Sequence, residues 1–363
     1  HNPWFHRPFD KLTVLSKVEG QHATRTKIKA LTRGCCFWKL ESMTALTIEE
    51  IKNARRNLQG IIRATPFERS APLSDRTGMA VYLKAECLQR TGSFKLRGAY
   101  HKIASLGARE KRIGIVTSSA GNHAQGVGYA VSRFNIPCRI YVPQTVPRIK
   151  LEAIQQYPVE VVIKGRLFDE AHAAALADAE ESGRVFIPAF DDPLIMAGHG
   201  TLGLEMLEAV SDLDAVMVPV GGGGLIAGVA TAVKAVNPAI RVISCQSVAS
   251  CAMTRSLEEN RPYLTFPSEE TIAEGLEGGI SEITFELGRR LINCMVLVTE
   301  DDIRSAIGFL YTHHGMVVEG SGAVGVAALL HDHWSDPGCK VGVVLTGGNI
   351  DEHLLRQFTG VSP

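Results

Sequence analysis

No run of this 363-residue sequence reaches the roughly 18 consecutive apolar residues of a membrane-spanning helix, and its start lacks the apolar core of a secretory leader. It has no surplus of charge either. Lys and Arg number 38 against 38 Asp and Glu, so no overall field draws the chain to nucleic acid or to an anionic membrane. Its eight cysteines (Cys35, Cys36, Cys87, Cys138, Cys245, Cys251, Cys294 and Cys339) form no CxxC pair. Several sit in apolar runs where thiols pack as small hydrophobes, which reads most simply as a reducing cytoplasm. Internal repeats and low-complexity segments are lacking too. What remains is ordinary globular composition, 45% hydrophobic and 21% charged, with length for about two domains. The expected partner is a small molecule or a second copy of the chain.

The first 42 residues carry eight Lys/Arg against three Asp/Glu and show no sustained periodicity. Residues 1–43 read as a basic extension outside the fold, disordered or carried over from expression or upstream translation, with only a weak likeness to a transit peptide. Met43 reads as a natural start, because Thr47 and Glu50 just after it are spaced as a capping box.

From there short β-branched runs alternate with helical stretches. IGIVTSS, VEVVIKG, DAVMVPVGGGG, IRVISCQ, MVLVTE and VGVVLTGG read as strands, apolar on both faces as a buried parallel sheet requires. AQGVGYAVSRF and DEAHAAALADAEESG read as helices between them. The plan is α/β, with functional loops at the carboxyl ends of strands.

Three such loops carry chemistry. PVGGGGLIAG runs from a strand through Gly221, Gly222, Gly223 and Gly224 into a helix starting near Leu225. Four glycines let backbone N–H groups converge on an anion with no Cβ in the way, and the helix dipole adds its attraction, as a phosphate cup requires. A tight turn alone needs one or two glycines. Gly222, Gly224 and Ala227 also fit the GxGxxA of a dinucleotide site, but that site expects an acid about 20 residues on to hold the ribose. The next strand ends in Ser244, Cys245 and Gln246, which favours a lone phosphate over a nucleotide-dependent oxidoreductase. In TSSAGNHAQG, the backbone and hydroxyls of Ser119, Ala120, Gly121, Asn122 and His123 can seat a carboxylate; a capped helix start accounts for Asn122 and His123 equally well. LTGGNID ends a strand in Thr346 and two glycines, a common turn by itself and a neutral hydrogen-bonding group beside the other two loops.

In TGSFKLRGAY, Leu96, Tyr100 and Ile103, with Ala99 and Leu106, recur at helical spacing, and Ser93 is expected to cap the helix. Lys95 then falls in the first turn, where unpaired N–H groups disfavour a cation. The dipole and an apolar neighbourhood including Phe94 should ease its proton off and make it a nucleophile for aldehydes, although a bound phosphate acts the other way. An exposed lysine on an amphipathic helix is the commoner fate of any single lysine.

Together these segments resemble the serine/threonine dehydratases of the fold-type II pyridoxal phosphate enzymes. TGSFKLRG is similar to their cofactor-lysine motif, SSAGNHAQG to their substrate loop, PVGGGGLIAG to their phosphate loop and LTGGNID to their pyridine-nitrogen loop. FIPAFDDPLIMAGHGTLGLE, TIAEGLEGG and VVEGSGAVGVAALL follow the family in the same order, from about Leu46 onward. The resemblance implies two open, mainly parallel twisted sheets flanked by helices. It places the active site in the cleft between a large domain (44–111 and 191–363) and a small one (112–190). It further implies that pyridoxal 5'-phosphate bonds Lys95, which later removes the substrate Cα proton. Phe94 would pack beside the ring, Asn122 would bond the ring hydroxyl, Gly221 to Gly224 with Leu225 would hold the phosphate, and Thr346 would meet the pyridine nitrogen. Gly275 and Glu319 are implied near the cofactor, and Ser119, Ala120, Gly121, Asn122 and His123 at the substrate carboxylate.

The implied reaction removes water from a β-hydroxy amino acid to give an aminoacrylate, which is released and takes water back in hydrolysis to a 2-oxo acid and ammonia, with L-threonine and L-serine as leading substrates. Serine racemase, or a dehydratase for hydroxyaspartate or another specialised β-hydroxy amino acid, is the alternative on the same fold. Outside the lyases the alternative is a catalytically silent amino-acid-binding protein. Racemases of the family place a serine where this chain has Ala120, which cannot move a proton. Their metal ligands are carboxylates where Gln246 and Ala252 stand here, so no metal is expected. Glu277 in AEGLEGG and Phe190 in PAFDD stand where they could alter substrate preference. The resemblance also implies a homodimer or homotetramer, and with only Glu352 to Pro363 after the last loop, no C-terminal regulatory domain is expected.

Overall fold

The computed structural model describes residues 46–360 and the backbone of Val14–Leu15; the expectations for the rest of residues 1–43 lie outside the described residues. The first helix, Ile48–Leu58, starts with the expected capping box. Thr47 Oγ1 accepts from the Glu50 N–H at 3.3 Å, and the Glu50 carboxylate accepts from the Thr47 N–H at 2.7 Å.

The strands are β1 Val14–Leu15, β2 Phe67–Arg69, β3 Ala80–Ala85, β4 Ile115–Ser118, β5 Cys138–Val142, β6 Glu160–Ile163, β7 Val185–Phe186, β8 Ala215–Pro219, β9 Arg241–Ser247, β10 Cys294–Val298 and β11 Lys340–Leu345. They form two sheets. One runs β1-β10-β9-β8-β11-β3-β2, parallel except where the edge strand β2 pairs with β3; the other runs β6-β5-β4-β7 and is parallel throughout. Helices lie between successive strands, as right-handed crossovers require. No helix among the described residues is long and apolar enough to cross a membrane.

The larger sheet is buried on both faces. Along β8, Ala215 and Met217 enter one apolar cluster while Val216 and Val218 enter the cluster on the other side. All six strands read from the sequence are present, but VEVVIKG departs from its expected burial. β6 closes the smaller sheet at one edge and is exposed or half-exposed throughout, having a strand on one side only. β3 escaped the pattern because Lys84 interrupts its apolar run, although Lys84 is itself buried.

The helix Lys95–Ala104 buries Leu96, Ala99, Tyr100 and Ile103. It crosses the helix Pro193–Ala209 at a glycine contact: a Cβ on Gly98 would lie 2.7 Å from the Ile195 carbonyl oxygen, and one on Gly198 would lie 2.7 Å from Gly98 Cα. The start of the Lys95 helix corrects the sequence reading. Phe94, not Ser93, occupies the cap position, and the Ser93 hydroxyl has no partner among the described residues. The backbone explains the change, because Ser93 bridges to Gly347 and the Phe94 N–H donates to the Thr346 carbonyl at 3.0 Å. Tertiary bonds hold the residues that local capping would have turned.

One turn into this helix, Arg97 is fully buried between two carboxylates. Its guanidinium reaches both Glu86 oxygens at 2.8 Å and the two Glu205 oxygens at 2.6 and 2.9 Å, and it donates to Thr201 Oγ1 at 3.0 Å. Lys84 completes the network 2.7 Å from Glu205. Paired and bidentate, the charges offset their own desolvation; removing one strands the others. Arg97→Ala is therefore expected to cost about 3–5 kcal/mol, measured as a lower urea midpoint at an unchanged slope. A loss under about 1 kcal/mol, the scale of an exposed ion pair, would show that the network is not holding the helix.

Candidate active site

Three strand ends and one helix start meet at a cavity of about 370 Å³. β8 delivers Gly221, Gly222, Gly223, Gly224 and Leu225; β4 delivers Ser119, Ala120, Gly121, Asn122 and His123; β11 delivers Thr346; and the helix start brings Phe94 and Lys95. Gly275 and Glu319 complete the lining, so every residue predicted for the cofactor and the substrate carboxylate borders this one space. A second cavity of about 340 Å³ lies at the opposite, amino ends of β8, β9 and β11 and holds none of them.

The glycine loop has no room for side chains. An added Cβ would come within 2.9 Å of Leu276 Cα at Gly221, 2.5 Å of the Phe190 ring at Gly222, and 2.5 Å of the Phe190 carbonyl at Gly224; Gly223 has φ +92 and would meet Met253 at 2.8 Å. The loop leads into the helix Gly224–Val236, whose first residues, Gly224 and Leu225, line the cavity at the positive end of the helix dipole.

Lys95 reaches into the cavity, donates to the Ala189 carbonyl at 2.8 Å, and lies 5.2 Å from the Phe94 ring centre. Burial brings its ammonium down to about 8 from the ordinary 10.5, against the opposing charge of Glu319. Glu319 moves the other way. Burial raises its carboxyl to about 7, although it accepts from Asn122 Nδ2 at 2.7 Å and from the Asn349 N–H. Asn122 Oδ1 in turn accepts from Asn349 Nδ2 at 2.6 Å. His123 turns its ring away, donating from Nε2 to the Ile187 carbonyl at 3.1 Å, and burial with the nearby Lys95 pulls it down to about 3, so the imidazole is neutral.

Some lining residues were not found by sequence reasoning. Ser321 accepts from the Gly275 N–H at 2.9 Å; its position two residues after Glu319, at a helix start, was the available signal. Lys150, Phe168 and Glu274 line the mouth and carried no signal, each being an ordinary residue in its own segment. Phe190 lines the cavity, but Glu277 does not; Glu274, three residues earlier, does. Gln246, at the position of the expected metal acid, spends its amide on the fold: it donates to the Val220 carbonyl at 3.0 Å and accepts from the Thr254 N–H and hydroxyl at 2.9 Å each.

Residues 58–347 match the family described as pyridoxal-phosphate dependent enzyme. The chain belongs to that family. It is 44% identical over 314 residues to an L-threonine ammonia-lyase of Thermotoga maritima, covering 86% of this chain and 78% of that one. It is 41% identical over 318 residues to the catabolic L-threonine dehydratase TdcB of Escherichia coli K12, covering 87% and 96%. Its fold is similar to that of maize serine racemase, with TM-score 0.83, 32% identity and coverage of 86% and 97%. The cofactor of this pyridoxal-phosphate enzyme suits the cavity on structural grounds. Glycines packed too closely against Leu276, Phe190 and Met253 to carry any side chain present bare backbone suited to a phosphate, and an amine that gives up its proton near neutrality suits an aldehyde.

The Glu319 carboxyl should be protonated below about pH 7 and ionised above it. Difference infrared spectra are expected to show a protonated-carboxyl band that disappears as pH rises through that value and is missing from Glu319→Gln. A band lost near the ordinary glutamate value of about 4.3 would mean that water reaches the carboxyl freely.

Proposed function

We propose that the chain dehydrates and deaminates β-hydroxy amino acids, converting L-threonine to 2-oxobutanoate and ammonia and L-serine to pyruvate and ammonia. One observation carries the reading: a readily neutral lysine, a glycine cradle and a carboxylate-seating loop bearing Ala120 share a single cavity. The names of the ammonia-lyase and dehydratase relatives support threonine as the substrate.

The residues divide the work by their chemistry. Gly221 to Gly224, with Leu225, bind the cofactor phosphate through backbone N–H groups. Asn122 meets the ring hydroxyl, oriented by its bonds to Glu319 and Asn349. Thr346, buried at the end of β11, offers the ring nitrogen a neutral hydroxyl rather than a carboxylate, and Phe94 packs beside the ring. Ser119, Ala120, Gly121, Asn122 and His123 seat the substrate carboxylate. Pyridoxal phosphate, when bound, supplies the electron sink for the pair left at the substrate Cα. Lys95 binds the cofactor and removes the Cα proton; with a pKa near 8 it holds and releases a proton close to neutral pH. Gly275 and Glu319 enclose the ring.

Racemisation needs a second proton-transfer group, and the methyl of Ala120 moves none. The neighbouring Ser119 hydroxyl accepts from the Gly121 N–H at 3.2 Å. Elimination, which needs one such group at Cα, is therefore the better reading despite the likeness to a racemase fold. Residues 112–190 are read as the smaller domain and the assembly as a homodimer or homotetramer, and the six described cysteines, all free thiols, suit a reducing cytosol.

Lys95→Ala is expected to lose the visible band of protein-bound cofactor and on the order of 10³-fold in threonine turnover. A variant that turned over threonine like the wild type would sink the assignment. In the apoenzyme only the neutral amine attacks the cofactor, so the attachment rate is expected to rise with pH, about tenfold per unit, and to level off above about 8. A plateau reached only near 10.5 would show that burial does not act on this amine.

A further inference from the structure

The mouth of the cavity carries a charge arrangement that the dehydratase reading does not use. Five Lys, Asp or Glu side chains line the space: Lys95, Lys150, Glu274, Glu319 and Asp351. Lys95 is engaged inside, which leaves Lys150 as the remaining ammonium among the described lining residues. Lys150 belongs to the helix Arg148–Gln155, which follows β5 of the smaller sheet, whereas Glu274 opens the short turn Glu274–Leu276 beside β8's glycine loop in the larger-sheet unit. The two form an ion pair across the mouth, with side chains 34% and 58% exposed, so the charges remain wet enough to meet an incoming solute. Glu277 stands behind Glu274, its carboxyl raised by burial and by Glu274 itself.

A β-hydroxy amino acid with an uncharged side chain brings one carboxylate, and the Ser119–His123 loop accepts it. A second carboxylate on Cβ needs a cation of its own. The cation at the mouth is already held by Glu274, and the carboxylates of Glu274 and Asp351 flank the approach, where like charges repel. We propose that the Glu274–Lys150 pair is a specificity filter: it keeps the mouth cation occupied, admits β-hydroxy amino acids with neutral side chains and turns away dicarboxylic ones. The filter rests on the dehydratase reading and names the substrate class of that site. The relevant acid is thus Glu274 rather than Glu277, which the sequence had singled out.

The test compares kcat/KM of the holoenzyme for threonine and for 3-hydroxyaspartate, in the wild type, Glu274→Gln and Lys150→Met. Glu274→Gln frees the Lys150 charge and removes one repelling carboxylate. It is expected to raise hydroxyaspartate relative to threonine by about tenfold, the size of one partly screened charge contact, while threonine changes by less than about threefold. Lys150→Met leaves Glu274 unpaired and should lower the same ratio by about fivefold. An unchanged ratio in Glu274→Gln, or a wild type that already prefers hydroxyaspartate and loses it in Lys150→Met, overturns the filter while leaving the dehydratase intact. Turnover of neither substrate by any of the three removes the dehydratase reading, and the filter with it.

Discussion

Three main-chain contacts splice the start of the Lys95 helix to the end of β11, and a fourth ties Glu319 to the same end. Phe94 N–H donates to Thr346, Gly348 N–H to Gly92, Glu319 N–H to Gly347, and Ser93 bridges Gly347. β11 is an interior strand, paired with β8 at Val341–Ala215 and Val343–Met217 and with β3 on its other side. Its register therefore brings Thr346 to the edge at which β8 turns into the glycine loop. Lys95, Glu319, Thr346 and Gly221 come from segments far apart in the chain, and this splice sets their mutual positions. Backbone bonds suit the task because they do not depend on side-chain rotamers.

The same helix carries two cations two residues apart with opposite fates. Arg97 points into the core, where two carboxylates meet its fork and keep it charged. Lys95 points into the cavity, where its bonded neighbour is the uncharged Ala189 carbonyl and burial loosens its proton. The electrostatic contrast follows from side-chain direction alone. Anchoring by the charged Arg97 lets the helix hold the readily neutral Lys95 in place without any ion pair to Lys95 itself. Glu319 mirrors Lys95: burial pushes a carboxylate and an ammonium towards their neutral forms alike, which places two proton-exchanging groups near neutrality in one space.

Much of this was legible in local pattern. Four consecutive glycines between an apolar strand and an apolar helix have few structural uses, and Gly221 to Gly224 do form the close-packed turn from β8 into the helix Gly224–Val236. Buried strands such as Ala215–Pro219 announced themselves by unbroken β-branched runs. β3 did not, because its Lys84 pairs with Glu205, a partner distant in the chain. Ser93 looked like a helix cap because local sequence cannot know that its backbone will pair with Gly347. VEVVIKG looked buried because its composition is apolar, but its place at a sheet edge depends on strand order.

The sequence by itself determined the alternation of strands and helices, the glycine- and hydroxyl-bearing loops at strand ends and the chemical type of each group in them, because these depend on residues close together along the chain. Tertiary structure decided that the loops share one cavity, that Lys95 is easily deprotonated while Arg97 is not, and that Lys150 and Glu274 face each other across its mouth. Those outcomes depend on burial and on partners remote in sequence, and a side chain's charge state and contacts are properties of the space around it.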